Sequence, residues 1–131
     1  MKNDVTKYNV DDLYYYHYRN KIGRPMITVC VCKKGSIFSR GISICSVKDM
    51  PNKKVGRKIA RDRALKALFN KGTFDYASFR QEIIDVLDTY EQHVTIELYK
   101  SEYLPTLTSY EMELLGFAPR KVKGYLNENG N

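Results

Sequence analysis

MITVCVCKKGSIFSRGISICS, Met26 to Ser46, is the stretch that decides the fold. Met26 to Lys33 is apolar at both alternating sets of positions, the pattern of a central strand covered on both faces. Lys34-Gly35 makes a short turn, and Ile37 to Ser46 reads as the next strand. On that strand Phe38, Ile42 and Ile44 share one face, and Arg40 lies on the same face between Phe38 and Ile42. Upstream, LYYYHYR, Leu13 to Arg19, is an aromatic-rich strand, and NKIGRP, Asn20 to Pro25, is the loop that joins it to the next. Three short antiparallel strands in a meander fit this spacing.

Downstream the period changes. Pro51 disfavours helix before it, Asn52 is a good N-cap, and a basic helix follows from about Lys53 to Asn70, stopped by Gly72. A second helix is expected from about Asp75 to Tyr90, where Phe79, Ile83, Val86, Leu87 and Tyr90 form an apolar stripe. Gln92 to Lys100 alternates Val94, Ile96 and Leu98 against Thr95, Glu97 and Tyr99, as a half-buried strand does, until Leu104-Pro105 breaks it. Thr108 and Glu111 make a capping box for a short helix, Ser109 to Leu115, closed by Gly116. The order β-β-β-α-α-β-α predicts an α+β fold. It has an antiparallel sheet of about four strands, with the two longer helices packed on one face. Residues 1–117 are expected to form one domain, and the polar residues 118–131 a flexible tail.

The charge is sorted along the chain. Residues 1–72 carry 11 Lys and 6 Arg against 5 Asp and no Glu, a net of +12, while residues 73–131 carry a net of −5. A basic field of that size draws in polyanions before any contact forms. With 43% hydrophobic and 28% charged residues the 131-residue chain is ordinary for a soluble globular protein. MKNDVTKYNVDD has no apolar core of a secretory signal, and the longest apolar stretch is far short of a membrane span, so a cytoplasmic protein with no membrane partner is expected. Three cysteines, an odd number, suit free thiols better than a disulfide framework.

On a wheel of about 100° per residue, Gly56, Ala60, Ala64 and Ala67 cluster on one helix face, where small residues permit close approach to a sheet. Val55 and Ile59 widen that apolar side. Lys54, Arg57, Lys58 and Arg61 lie opposite. Cations at i,i+4 repel, and cations near a helix N-terminus oppose the macrodipole. A bound anion reverses both penalties, so Lys53, Lys54, Arg57, Lys58 and Arg61 are the expected phosphate contacts. The competing reading is a solvated helix face. Arg63 and Arg40 sit where apolar residues belong, so each needs a partner, either an internal carboxylate (Asp49, Asp85 or Asp88 for Arg63) or a phosphate held by directed contact. Tyr14, Tyr16 and Tyr18 share one face of the first strand and Tyr15, His17 and Arg19 the other; the first set is assigned to stacking or an oligomer interface, against the plainer reading of core. Cys30, Cys32, Cys45 and His17 lack the spacing of a zinc knuckle, so no metal and no cofactor are expected. No motif of nucleophilic, metal-assisted or Walker-type phosphate chemistry is present, and no catalytic residue is assigned.

The run RGISICSVKDMPNKKVGRKIARDRALKAL, Arg40 to Leu68, resembles the last hairpin strand and basic C-terminal helix of a double-stranded-RNA-binding domain. In that family lysines at the helix N-terminus grip phosphates, which implies the same role for Lys53, Lys54, Arg57 and Lys58. The first helix of that family has no counterpart here. In general texture the run also resembles small bacteriophage proteins, a group that includes nucleic-acid binders, inhibitors of host proteins and sponges for nucleotide signals. The expected function is non-enzymatic binding of a phosphate-bearing ligand, with nucleic acid favoured. The alternatives are anti-defence sequestration of a nucleotide second messenger and docking on an acidic host protein. The opposed charges of the two halves make a homo-oligomer plausible.

Overall fold

A computed structural model describes residues 10–75 and 80–117. Five antiparallel strands form a sheet in the order β1-β2-β3-β5-β4. They are β1 (Asp12–Tyr18), β2 (Ile27–Lys34), β3 (Ile37–Ile44), β4 (Phe74–Asp75) and β5 (Lys100–Tyr103). Three helices accompany them: α1 (Lys53–Asn70), α2 (Arg80–Leu87) and α3 (Ser109–Leu115). The fold is α+β, with five strands where about four are expected. The extra strand is the two-residue β4, too short to leave a periodic signal.

β2 is the central strand its double-sided apolarity demands. Ile27, Val29 and Val31 point to one face and Cys30 and Cys32 to the other, and all five are buried. Register follows from the same alternation, with Tyr15 opposite Cys30, His17 opposite Thr28, Val31 opposite Arg40 and Cys30 opposite Gly41.

The two faces are covered differently. Cys30 and Cys32 pack with Ala60, Ala64, Leu65 and Leu68 of α1. Val29, Val31 and Ile42 pack with Val86 of α2, Leu115 of α3, and Val94 and Leu98 of the intervening loop. The two longer helices therefore lie on opposite faces rather than one. Sequence order alone does not reveal this, because a sheet buried on both sides accepts a helix on either.

α1 approaches the sheet backbone to backbone. A Cβ placed on Gly41 would fall 2.1 Å from the Ala60 carbonyl oxygen and 2.3 Å from the Ala64 nitrogen. The hydroxyls flanking that glycine fasten the helix: Ser39 Oγ donates to the Ala64 carbonyl at 2.6 Å and Ser43 Oγ to the Gly56 carbonyl at 2.9 Å. Asn52 caps α1 as expected, its Oδ1 accepting from the Lys54 and Val55 N–H groups. At the other end the left-handed residue is Lys71, φ 52°, one position before the expected Gly72.

The segment from Gln92 to Tyr99 is not a strand, although Val94 and Leu98 are buried. Alternation records which side chains enter the core, not whether a neighbouring strand is present to hydrogen-bond. The strand expected there lies instead at Lys100–Tyr103, and Leu104, φ 52°, turns the chain just before Pro105. α2 is shorter than the 75–90 expectation; residues 76–79, like the tail at 118–131, lie outside the described residues. The capping box of α3 stands as read from Thr108 and Glu111, with Gly116 at φ 76°.

Candidate anion-binding site

Where β1 runs along the sheet edge beside α1, Tyr15, Lys53, Lys54, Val55, Arg57, Lys58 and Arg61 surround an open cavity of about 590 Å³. All five cations expected as phosphate contacts line it. β1 supplies the floor, because Tyr15 and His17 point to the α1 side of the sheet. The Arg57 guanidinium lies over the Tyr15 ring, 5.4 Å from its centroid, a cation–π contact that holds the side chain against the groove.

The five cations are not equally neutralised. Lys58 Nζ pairs with Asp62 Oδ2 at 3.0 Å, and Arg61 Nε lies 3.6 Å from Asp62 Oδ1. Among the described residues, Lys53, Lys54 and Arg57 have no carboxylate within ion-pair distance. The first turn of α1 holds no acidic residue, so its N-terminal partial charge adds to theirs.

The groove leaves its mark on two titratable groups. Burial, then the Arg57, Lys53 and Arg19 charges, lower the His17 pKa to about 4. Its Nε2 is buried without a hydrogen-bond partner among the described residues. Burial and the nearby Cys30 raise the Tyr15 phenol, and Arg61 and Arg57 pull against that rise.

Arg40 and Arg63 lie elsewhere. Arg40 is on the opposite face of the sheet, 3% exposed, and makes a two-pronged pair with Glu111, which is 0% exposed. Its Nε donates to Oε2 at 2.8 Å and its Nη2 to Oε1 at 2.5 Å, with a further bond from Nη2 to the Thr106 carbonyl. Of its two sequence readings, the internal carboxylate is the one observed. Burial opposes the Glu111 charge, but the bonds and charge of Arg40, with help from Tyr16 and Thr108, outweigh it and hold the carboxyl below its ordinary range. Arg63 sits on the far flank of α1, donating from Nη1 to the Ile42 carbonyl at 2.8 Å. It lines a separate small cavity with Lys66, Phe74, Asp75 and Ser101.

Tyr14, Tyr16 and Tyr18 pack against the cluster of Val29, Val86 and Leu115, on the face away from the groove. Tyr16 donates to Glu111 Oε2 at 2.6 Å and meets Tyr110 edge-on at 5.2 Å. The aromatic beside the cations is Tyr15, from the other parity set. Parity was legible in LYYYHYR, but which set faces the basic helix depends on the face that helix takes.

Cys30 and Cys32 lie beneath α1, where burial raises both thiols, Cys32 to about 11. Among the described residues no group of three or more His, Cys, Asp or Glu side chains could hold a metal ion, and no helix is long and apolar enough to cross a membrane. No protein family, curated protein or solved structure matches the chain.

Proposed function

We propose that this protein is a non-enzymatic binder of a phosphate-bearing ligand, nucleic acid in the first instance, and that the phosphates lie in the groove between β1 and α1. The observation that carries the reading is the gathering of Lys53, Lys54, Arg57, Lys58 and Arg61 around one cavity, three of them without a carboxylate partner among the described residues. Such a cluster costs the free fold repulsion at i,i+4 spacing and along the helix dipole. A phosphate relieves both and releases condensed counterions from the nucleic acid.

The side chains divide the work. The lysines are flexible point charges that can follow a backbone, whereas Arg57, laid against Tyr15, presents a planar fork to phosphate oxygens. Five cations around one open groove can meet several phosphates at once, which favours a nucleic acid over a bare inorganic anion.

Fluorescence anisotropy of a labelled single-stranded oligonucleotide, titrated with protein over a range of salt, tests the reading. Five phosphate contacts correspond to a log–log salt slope of about −3.5. Lys54→Glu with Arg57→Glu, both at exposed positions, abolishes binding while leaving the circular dichroism spectrum unchanged. Affinity independent of salt, or unaffected by the double reversal, sinks the proposal.

A further inference from the structure

We infer that the unit recognised is a nucleotide with an unpaired base, and that the base enters a second cavity, beside the groove at the first turns of α1. This inference rests on the phosphate-binding reading and narrows it.

The second cavity has a volume of about 320 Å³ and is bounded in part by Thr28, Ser43, Asp49, Met50, Val55 and Ile59. Val55 lines the groove as well, so the two spaces adjoin across one residue. Their chemistry is sorted. The groove is lined by five cations and no carboxylate, and the cavity by one carboxylate, Asp49, and no Lys or Arg. Phosphates are drawn to the first and turned away from the second, while a neutral ring is indifferent to the charge and gains from the apolar wall.

That wall has no other explanation in the fold. Val55 and Ile59, expected on the apolar side of the helix, are 52% and 38% exposed, and Met50 is 74% exposed. Apolar side chains left in water beside a cavity mark a binding surface more often than singly scattered ones do. Polar groups stand within the same space. A Cβ on Gly56 would come 2.7 Å from Thr28 Oγ1 and 3.3 Å from Ser43 Oγ, so the glycine lets the helix pack close over both hydroxyls at the edge of the cavity. The Asp49 carboxylate, and the Ser43 hydroxyl whose proton goes to the Gly56 carbonyl, are acceptors for the donor groups on the edge of a base, and they are of no use to a hydrocarbon chain.

Size sets the class. The volume falls at the lower end of the roughly 300–1,000 Å³ range of small-molecule sites, suited to one ring system. A base reaches such a cavity only when it is unpaired, so the ligand is single-stranded nucleic acid or a free nucleotide, not the duplex that the double-stranded-RNA-binding resemblance implies.

The test compares four probes on the full chain by anisotropy or competition: a single-stranded oligonucleotide, an abasic strand of equal length and charge, the matching duplex and a nucleoside triphosphate. The expected result is that the normal strand binds about tenfold more tightly than the abasic one. Met50→Gln with Ile59→Gln, both exposed and uncharged changes, erases that preference and leaves abasic affinity unaltered. Competition by the triphosphate that disappears in the same variant supports the cavity and identifies free nucleotide as an accepted source. Equal affinity for normal and abasic strands, preference for the duplex, or a preference that survives the double variant overturns the inference and leaves phosphate binding standing. Absence of binding to every probe removes the phosphate-binding reading with it.

Discussion

Arg57 of α1 lies over the ring of Tyr15 of β1, 5.4 Å from its centroid, and this contact joins the basic helix to the edge of the sheet. It turns a charged helix face into a groove with an aromatic floor. Without it Arg57 would be one more solvated cation; with it, the guanidinium is held beside Lys53, Lys54 and Arg61 around a common space.

Tyr15→Ala frees Arg57 from its ring and is expected to lower affinity by about tenfold for normal and abasic strands alike. Tyr15→Phe keeps the ring and is expected to keep the affinity. Anisotropy titrations of the two variants check this. Equal losses in both would assign the role to the phenolic hydroxyl instead of the ring.

The pair of Arg40 and Glu111 fastens α3 to β3 through the core. Glu111→Gln leaves the buried guanidinium only the more distant Glu102 carboxylate, 3.9 Å from Nη1, and is expected to cost about 3 kcal/mol in urea unfolding. Because the Glu111 carboxyl is held below its ordinary range, its contribution is present above the unfolded-state pKa of about 4.3 and is lost as pH falls through the lower folded value. The acid limb of the stability profile should therefore flatten in Glu111→Gln. A variant as stable as the parent at pH 7 would contradict this role.

Gly41 marks the closest approach of helix and sheet. Gly41→Ala sets a methyl against the backbone of Ala60 and Ala64, atoms that cannot swing aside. The helix has to lift off, at a cost of about 3 kcal/mol or more. Thermal unfolding should show a large loss, whereas Gly35→Ala, at a turn glycine with nothing within 4 Å but with φ 63°, should lose only the modest strain of that conformation.

Most local structure was legible in the chain because its determinants are local. Asn52 as a cap, Lys53 to Asn70 as a helix and the Thr108–Glu111 box depend on residues a turn apart, and all appear where the sequence places them. The central position of β2 was legible for a related reason, since burial on both faces is written in its own side chains. What the sequence left open depends on distant partners. Val94, Ile96 and Leu98 alternate like a strand, yet the ladder forms from Lys100 to Tyr103. Arg40 was equally consistent with an internal carboxylate and a ligand, because Glu111 lies 71 residues away. Which parity set of the first strand meets the cations depends on the face taken by α1, and it is Tyr15, with Tyr14, Tyr16 and Tyr18 packed on the other face. The cavity beside Val55 left no signal at all, as its walls come from β2, β3, the loop before α1 and the helix itself.

His17 gives the most direct test of where the ligand sits. In the free protein burial and the cations of Arg57, Lys53 and Arg19 hold its pKa near 4, below the ordinary value of about 6.5. Phosphates placed among those cations offset their charge, so the pKa must rise on binding. Burial persists, so the rise reflects the relieved charges alone, and by linkage the ligand binds more tightly as pH falls through the pKa of the complex toward the free value near 4. The measurement is an NMR titration of the His17 imidazole, with and without saturating single-stranded oligonucleotide, assigned against His93→Gln. The account predicts a pKa near 4 in the free protein and a clear rise in the complex. An oligonucleotide that binds yet leaves the His17 titration unmoved would place the ligand elsewhere and contradict the groove between β1 and α1.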